Sequence, residues 1–297
     1  LSQLYVNNYN YTDINIQDAK IIDNQLLASV KVADQHLNMT SILQLHLGAA
    51  PSYQVQANIE KADLCSLKLS TIKNDQFSAQ LNVGVEGPNW SSMVAFASLK
   101  DFKYRANDRL VASELAQVHY RYQDNYTNID LSSSILDFAI EGVLAEQTLI
   151  KDLTHHLAIL YPPIEGQDRG FLHTDANFEF NLLTRNTQEL FQIFLPEIEI
   201  AAGTILNGSF NSKLESFTLN LNCPKLSYAD LDFEMLNLEQ NVQHDEVNGL
   251  LIVGKLSIAD STSFHELKLT NTGAHGIQDA ILSWDPKTDD YSALTWR

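Results

Sequence analysis

Three carboxylates, Asp230, Asp232 and Glu234, alternate with Leu231, Phe233 and Met235 around the stretch "DLDFE". On a strand, that spacing puts the acids on one face, where they could ligate calcium or serve as a glycosidase acid–base pair. No Gly-containing calcium loop surrounds them and no second acidic cluster accompanies them, so they read as a solvated strand face opposite an oily one. The nine histidines suggest metal. His155 and His156 are adjacent on a helical pattern, about 100° apart around its axis, and cannot share an ion as an i, i+4 pair does. His36 and His46, and His265 and His275, lack a cysteine or carboxylate partner at a metal-binding spacing. Cys65 and Cys223 are far apart, and nothing beside them in sequence lowers a thiol pKa. They read as small buried hydrophobes without a disulfide. There is no nucleophile elbow, phosphate loop, dinucleotide fingerprint or HExxH. The expectation is a protein that is not an enzyme, with no metal and no cofactor.

Charge narrows the partners. Nineteen basic against 37 acidic residues give a net charge of −18, which repels phosphate backbones and anionic membrane surfaces and argues against nucleic acid. The start "LSQLYVNNYN" has no basic n-region, and the longest strictly apolar runs, such as "LLIV", are far too short to span a bilayer. The chain reads as a fragment of something longer. Asn-x-Ser/Thr triplets at Asn10, Asn38, Asn89, Asn125 and Asn207 read as chance in an Asn-rich chain.

Period-two patterning dominates the elements that would position any site. In "YQVQANIE", "FSAQLNVGV", "NFEFNLL" and "SFTLNLNCPKLSYADLDFEMLNLEQ", apolar residues occupy one face and polar residues the other, as in an antiparallel sheet wet on one side. Turn chemistry in "GAAPS", "IKNDQ", "EGPNW", "IEGQDRG" and "DPKTDD" predicts a meander. Two helices interrupt it. Leu149, Leu153, Leu157 and Leu160 recur at helical intervals and stop at Pro162-Pro163, and "NTQELFQIFLPEI" opens at Asn186 or Thr187 and closes before Pro196. The organisation read from this is a first β segment over 1–147, an amphipathic connecting helix over 148–165, and a second β segment over 166–297, continuous with the first. Three loosely similar aromatic-led stretches suggest stacked hairpin units and favour an elongated sheet over a closed barrel.

Two packing solutions fit an oily sheet face. It packs on a second sheet as a sandwich, or it stays open as a trough for acyl chains. Burying a methylene is worth about 0.8 kcal/mol, so two tails of about 15 methylenes cost roughly 24 kcal/mol to carry bare through water, and an apolar trough removes most of that.

Four phrases, "YQVQANIEKADLCSLKLS", "NIDLSSSILDFAIEGVL" with the helix ending "LYPPI", "QELFQIFLPEIEIAAGTILNGSFNSKLESFTLNLNCPKLSYADLDFEMLNLEQ" and "SFHELKLTNTGAHGIQDAILSWDP", resemble the TamB family, translocation and assembly module subunits of the AsmA-like superfamily, in bacteroidete versions. The phrases occur in the expected order over most of the chain. The resemblance implies an open-ended β-taco, a mainly β, elongated and curled antiparallel sheet with one or two short amphipathic helices. It also implies an interior periplasmic segment of a protein anchored in the inner membrane, with an apolar lumen for phospholipid acyl chains and a role in outer-membrane protein assembly beside a BamA-like barrel. Membrane contact would come only through parts absent from this chain. The residues given an inward-facing, groove-lining role are Val55, Ala57, Ile59, Leu81, Val83, Phe178, Phe180, Phe217, Leu219, Leu221, Leu231 and Phe233. The competing expectation is an extracellular adhesin or glycan-binding module with a packed sandwich core.

Overall fold

The computed structural model describes residues 3–89, 92–144, 175–244, 246–259, 262–274, 277–285 and 292–296. It is mainly antiparallel β structure and separates into two units. The first comprises Leu1–Asp124, Asn128–Asp137 and Gln192–Phe194, and the second Asn125–Thr127, Phe138–Phe191 and Leu195–Arg297.

In the first unit, β1 (Gln3–Val6) and β2 (Tyr9–Thr12) form a hairpin with its own two-stranded sheet. Then β3 (Ile14–Ile22), β4 (Gln25–Ala33), β5 (Leu37–His46), β6 (Ser52–Asp63), β7 (Gln76–Asn89), β8 (Ser92–Ala106) and β9 (Arg109–Gln123) each pair antiparallel with the next. Two further strands follow, β10 (Tyr126–Ser133) and β11 (Leu136–Val143). The second unit holds β12 (Asn177–Thr184), β13 (Ile198–Ile200), β14 (Ile205–Asn211), β15 (Ser216–Tyr228), β16 (Leu231–Gln243), β17 (Glu246–Ile258), β18 (Thr262–Ala274), β19 (Ile277–Trp284) and β20 (Ser292–Trp296). Strand β12 pairs β14, β13 pairs β15, and β14 to β20 pair in succession.

Tight turns built from Asn and Asp set the register of hairpins between β1 and β10. Asn7-Asn8, Asp23-Asn24, Asn107-Asp108 and Asp124-Asn125 all have φ between 48° and 66° at both central residues. That is the backbone of a two-residue hairpin turn whose twist matches its strands, and Asn and Asp tolerate it at the least cost after glycine. The predicted turn at "EGPNW" differs. Strand β7 runs on through Gly87 and Pro88 to Asn89, and the register slips between Glu86 and Asn89. Gly87 sits at φ 155°, and a Cβ there would lie 2.2 Å from the Ser92 carbonyl oxygen, so the extra residue is absorbed as a bulge that only glycine fits.

Short helix α1 (Gln188–Phe194) matches the "NTQELFQIF" reading, with Thr187 as its N-cap residue. The Thr187 hydroxyl makes no capping bond and instead donates to the Ile200 carbonyl at 3.5 Å. The helix expected over 148–165 lies outside the described residues.

The second unit has two buried clusters on one face of its strands. One gathers Leu144, Ala176, Phe178, Phe210, Phe217, Val242 and Val247, and the other Cys223, Leu236 and Val253, flanked by Leu226, Phe233 and Leu256. The second cluster departs from strict alternation. Cys223 and Leu226, Phe233 and Leu236, and Val253 and Leu256 are each three apart yet pack on one side. Between them every strand turns two consecutive residues outward, at Pro224-Lys225, Glu234-Met235, Gly254-Lys255 and His265-Glu266. Met235 and Glu266 take φ 53° and 51°. These positions face one another across β15 to β18, so the phase reversal crosses four strands without shifting their register.

Replacing Asp108 by Gly should leave stability unchanged or slightly raised, whereas Asp108→Val should cost about 1–2 kcal/mol, because a β-branched side chain resists the left-handed backbone. Denaturant titration of the two variants checks this, and equal midpoints would refute the turn assignment.

Candidate functional site

In an antiparallel sheet, directly opposed residues point to the same side, so register alone tells which side chains share a row. Tracing the second unit this way places Leu182 opposite Leu206, then Leu221, Leu238, Leu251, Leu269, Leu282 and Leu294 in turn. Eight leucines therefore stand in one unbroken row across eight strands. With strands about 4.8 Å apart, the row is about 34 Å long. The first seven are half-buried, and Leu294 is exposed.

The row beside it runs Phe180, Gly208, Leu219, Gln240, Gly249, Asn271 and Ala280. Most of it is also half-buried. On either flank the side chains are sealed: Phe178, Phe210, Phe217, Val242 and Val247 to one side, Cys223, Leu236 and Val253 to the other. The two central rows thus form a partly open, mostly apolar band, interrupted by Gln240 and Asn271, between two closed ones.

The first unit has the same organisation with smaller side chains. Ala28, Leu43, Val55, Val83, Ala97 and Val118 form one row, and Val30, Ser41, Ala57, Leu81, Leu99 and Ala116 the next. Ile59 faces Met39 and Ala79 in a third. Of the twelve sequence-chosen residues, Val55, Ala57, Ile59, Leu81 and Val83 therefore share one face of the first unit. In the second unit, Phe178 and Phe217 belong to the first buried cluster, with Phe180 and Leu219 packed against it, while Leu221 and Phe233 pack against the second. Leu231, opposite Tyr228 and Ile258, continues the side of Phe233. Phe178 and Phe217 are buried, and the other ten are half-buried. Of the eight leucines in the row only Leu221 is among the twelve, because a cross-strand row appears only once seven registers are known.

The opposite face of the first unit carries a concavity of about 940 Å3. Gln56, Asn58, Gln80, Asn82, Gln117, Ser29, Ser98 and Thr40 line it with amides and hydroxyls, Val30, Ile42, Ala57 and Leu81 also border it, and Lys31 and Lys100 are the charged residues of its lining. This groove is mixed, amide-rich and locally cationic in a chain of net charge −18.

The chemically suggestive residues are otherwise engaged. Asp232 takes a hydrogen bond from Ser227 and lies 3.8 Å from the Lys225 ammonium, and Glu234 lies 3.7 Å from Lys255, an ion-paired outer face. Cys65 and Cys223 are free thiols, and the buried Cys223 Sγ accepts from the Thr204 hydroxyl at 3.1 Å. Among the described residues, no group of three or more His, Cys, Asp or Glu is placed to hold a metal ion. His155, His156 and His275 lie outside them. No described helix is long and apolar enough to cross a membrane.

A carboxylate cluster in the first unit ties elements together. Asp34, only 8% exposed, accepts bonds from the Tyr9 hydroxyl (2.5 Å), the Thr12 amide (3.0 Å) and hydroxyl (2.8 Å) and the His36 amide (2.8 Å), fastening the first hairpin to the β4–β5 turn. Neighbouring Asp63 accepts from the Ser66 amide and hydroxyl and meets His36 Nδ1 at 3.3 Å. Desolvation alone would raise the Asp34 pKa, but these donors outweigh it and hold it at about 2. Desolvation and the same carboxylate push Tyr9 up to about 12. With its lone pairs taken, Asp34 is a fastener and no free base.

Because the folded Asp34 pKa lies below the unfolded value of 3.8, its contribution is present above pH 4 and is lost as pH falls toward 2. Asp34→Asn should therefore lower stability at pH 7 by on the order of 2 kcal/mol and flatten the loss of stability between pH 4 and 2. Urea unfolding across that range measures both, and an unchanged acid limb would refute the assignment.

A scan against protein-family models, a search of curated proteins and a search of solved structures each found no match to this chain.

Proposed function

We propose that this chain is an interior segment of a periplasm-spanning, TamB-like protein of the AsmA-like superfamily, whose sheet curls into an open groove that conducts phospholipid acyl chains between the inner and outer membranes and supports outer-membrane protein assembly. In this reading the full-length protein is anchored in the inner membrane and works beside a BamA-like barrel. The carrying observation is the leucine row. It offers about 34 Å of continuous hydrocarbon perpendicular to the strands, half-buried from Leu182 to Leu282 beside the sealed row of Cys223, Leu236 and Val253. A surface packed against a second sheet would bury that row as completely as Phe210 or Val253, both 0% exposed.

A passive track also accounts for the chemistry. An acyl chain moving from bilayer to leucine exchanges one apolar environment for another, so transfer is close to balanced and needs no reacting group. Along the row each step meets the same side chain, which keeps the binding energy nearly constant from strand to strand and leaves no deep trap. The rows around Val55 and Leu81 extend the same logic to the first unit.

A second reading, a glycan-binding module, is favoured by the amide-lined groove opposite Val55, since Asn and Gln side chains pair with sugar hydroxyls and Lys31 and Lys100 would accept an acidic polysaccharide. It ranks second because the groove lining has no aromatic platform for a sugar ring.

A fluorescent fatty-acid probe separates the two. The purified chain should bind it, and Leu238→Asn with Leu251→Asn should weaken binding at least tenfold, each leucine contributing on the order of 1 kcal/mol, whereas Lys100→Glu should leave it unchanged. Native mass spectrometry of the chain, mildly extracted from a bacterial envelope, should find phospholipid retained. A lipid-free chain whose Lys100→Glu variant loses binding to an acidic polysaccharide would overturn the groove in favour of the glycan reading.

A further inference from the structure

Two rows of side chains cross the floor of the concavity of about 940 Å3 in the first unit, and strand register gives their order. Lys31, Thr40, Asn58, Gln80 and Lys100 stand opposite one another in succession on β4 to β8. The row beside them runs Ser29, Ile42, Gln56, Asn82, Ser98 and Gln117. A cation therefore closes the first row at each end, four strand spacings or about 19 Å apart, with only amides and a hydroxyl between. Both lysines are exposed, and neither has an ion pair or a side-chain hydrogen bond among the described residues. The side-chain amides of Gln56, Asn58 and Gln117 are likewise exposed and unengaged among the described residues. Gln80 is held in place by donating to Asp101 at 3.1 Å, and Asn82 accepts from Gln54 at 3.5 Å.

We infer that this concavity is a ligand site in its own right, which takes an acidic oligosaccharide laid across the strands with one carboxylate on Lys31 and another on Lys100. The inference deepens the glycan reading of the groove and does not depend on the acyl track, because the two use opposite faces of the sheet. Three features select the ligand. A sugar unit of an extended chain is about as long as one strand spacing, so about four units reach from one lysine to the other and each meets a fresh amide or hydroxyl. A sugar hydroxyl both donates and accepts, as a side-chain amide does, so the two can pair fully. An extended peptide advances only about 3.3 Å per residue, out of step with rows about 4.8 Å apart. The lining has no aromatic ring for a sugar to stack on, so the affinity rests on charge-assisted bonds to the two lysines, and a neutral glycan gains neither. The net charge of −18 repels a polyanion at long range, which makes contact with both lysines the condition for its retention.

Calorimetry on the whole 297-residue chain compares oligomannuronates of two and four units with neutral cellotetraose and with hexaglutamate. The four-unit acid should bind about tenfold more tightly than the two-unit acid, which reaches only one lysine, and cellotetraose should show no binding. Lys31→Gln and Lys100→Gln should each lower the four-unit affinity to that of the two-unit acid, while the fluorescent fatty-acid probe binds both variants as it binds the unaltered chain. Equal affinity for the two acids, or four-unit binding that survives both lysine changes, overturns the site. Tighter binding of hexaglutamate than of the four-unit acid overturns the sugar as its ligand in favour of an acidic peptide. The acyl track stands or falls separately, on the lipid measurements.

Discussion

Antiparallel hydrogen bonding from strand to strand is the constraint on which everything else in this protein depends. Each backbone pairing fixes which two side chains stand side by side, and seven such pairings in series turn isolated leucines into a row. No single leucine contact matters much. A register error of one residue anywhere along the series would turn every later member of the row to the other face. The turns between these strands, with left-handed backbone at Glu215, Ala229, His244 and Ala259, are therefore part of the apolar face, because they hold the hairpins to the register that lines it up.

The phase reversal across β15 to β18 solves a related problem. Strict alternation would have carried the apolar side from Leu221 and Cys223 to Lys225 and Ser227, putting charge on the hydrocarbon face. Turning two consecutive residues outward in each of four adjacent strands brings Leu226, Phe233 and Leu256 back to the side of Cys223, Leu236 and Val253. Left-handed backbone at Met235 and Glu266 opposes this, each such residue costing on the order of 1 kcal/mol. Gly254 and the exposed Pro224 stand at the other two aligned positions. Because all four strands reverse on the same line, no inter-strand register is lost.

Much of the fold was legible in the sequence. The runs that became β6, β7, β12, β15 and β16 show their alternation openly, since each buries one face and wets the other. The short helix at Gln188–Phe194 was legible through its stop at Pro196. The bulge at Gly87 was not, because glycine and proline beside asparagine resemble a turn until the partner strand is known. At the candidate site, the common side of Val55, Ala57 and Ile59, and that of Leu81 and Val83, followed from alternation within each strand, and the β6–β7 register puts the two sets together. The rest of the leucine row around Leu221 and the amide-rich groove did not, since each is a relation between strands. The side of Leu231 and Phe233 was assigned by alternation that the reversal interrupts, and the assignment agrees with the cluster only because the reversal falls after Phe233.

A row that runs from strand to strand has an architectural consequence. Each added hairpin of the same design lengthens it by two strand spacings, about 10 Å, without altering the width or chemistry of what is already there. Reach becomes a matter of copy number, so duplication of a hairpin unit could fit such a protein to a wider gap in one step, while changes to the cross-section would have to be made in every strand at once.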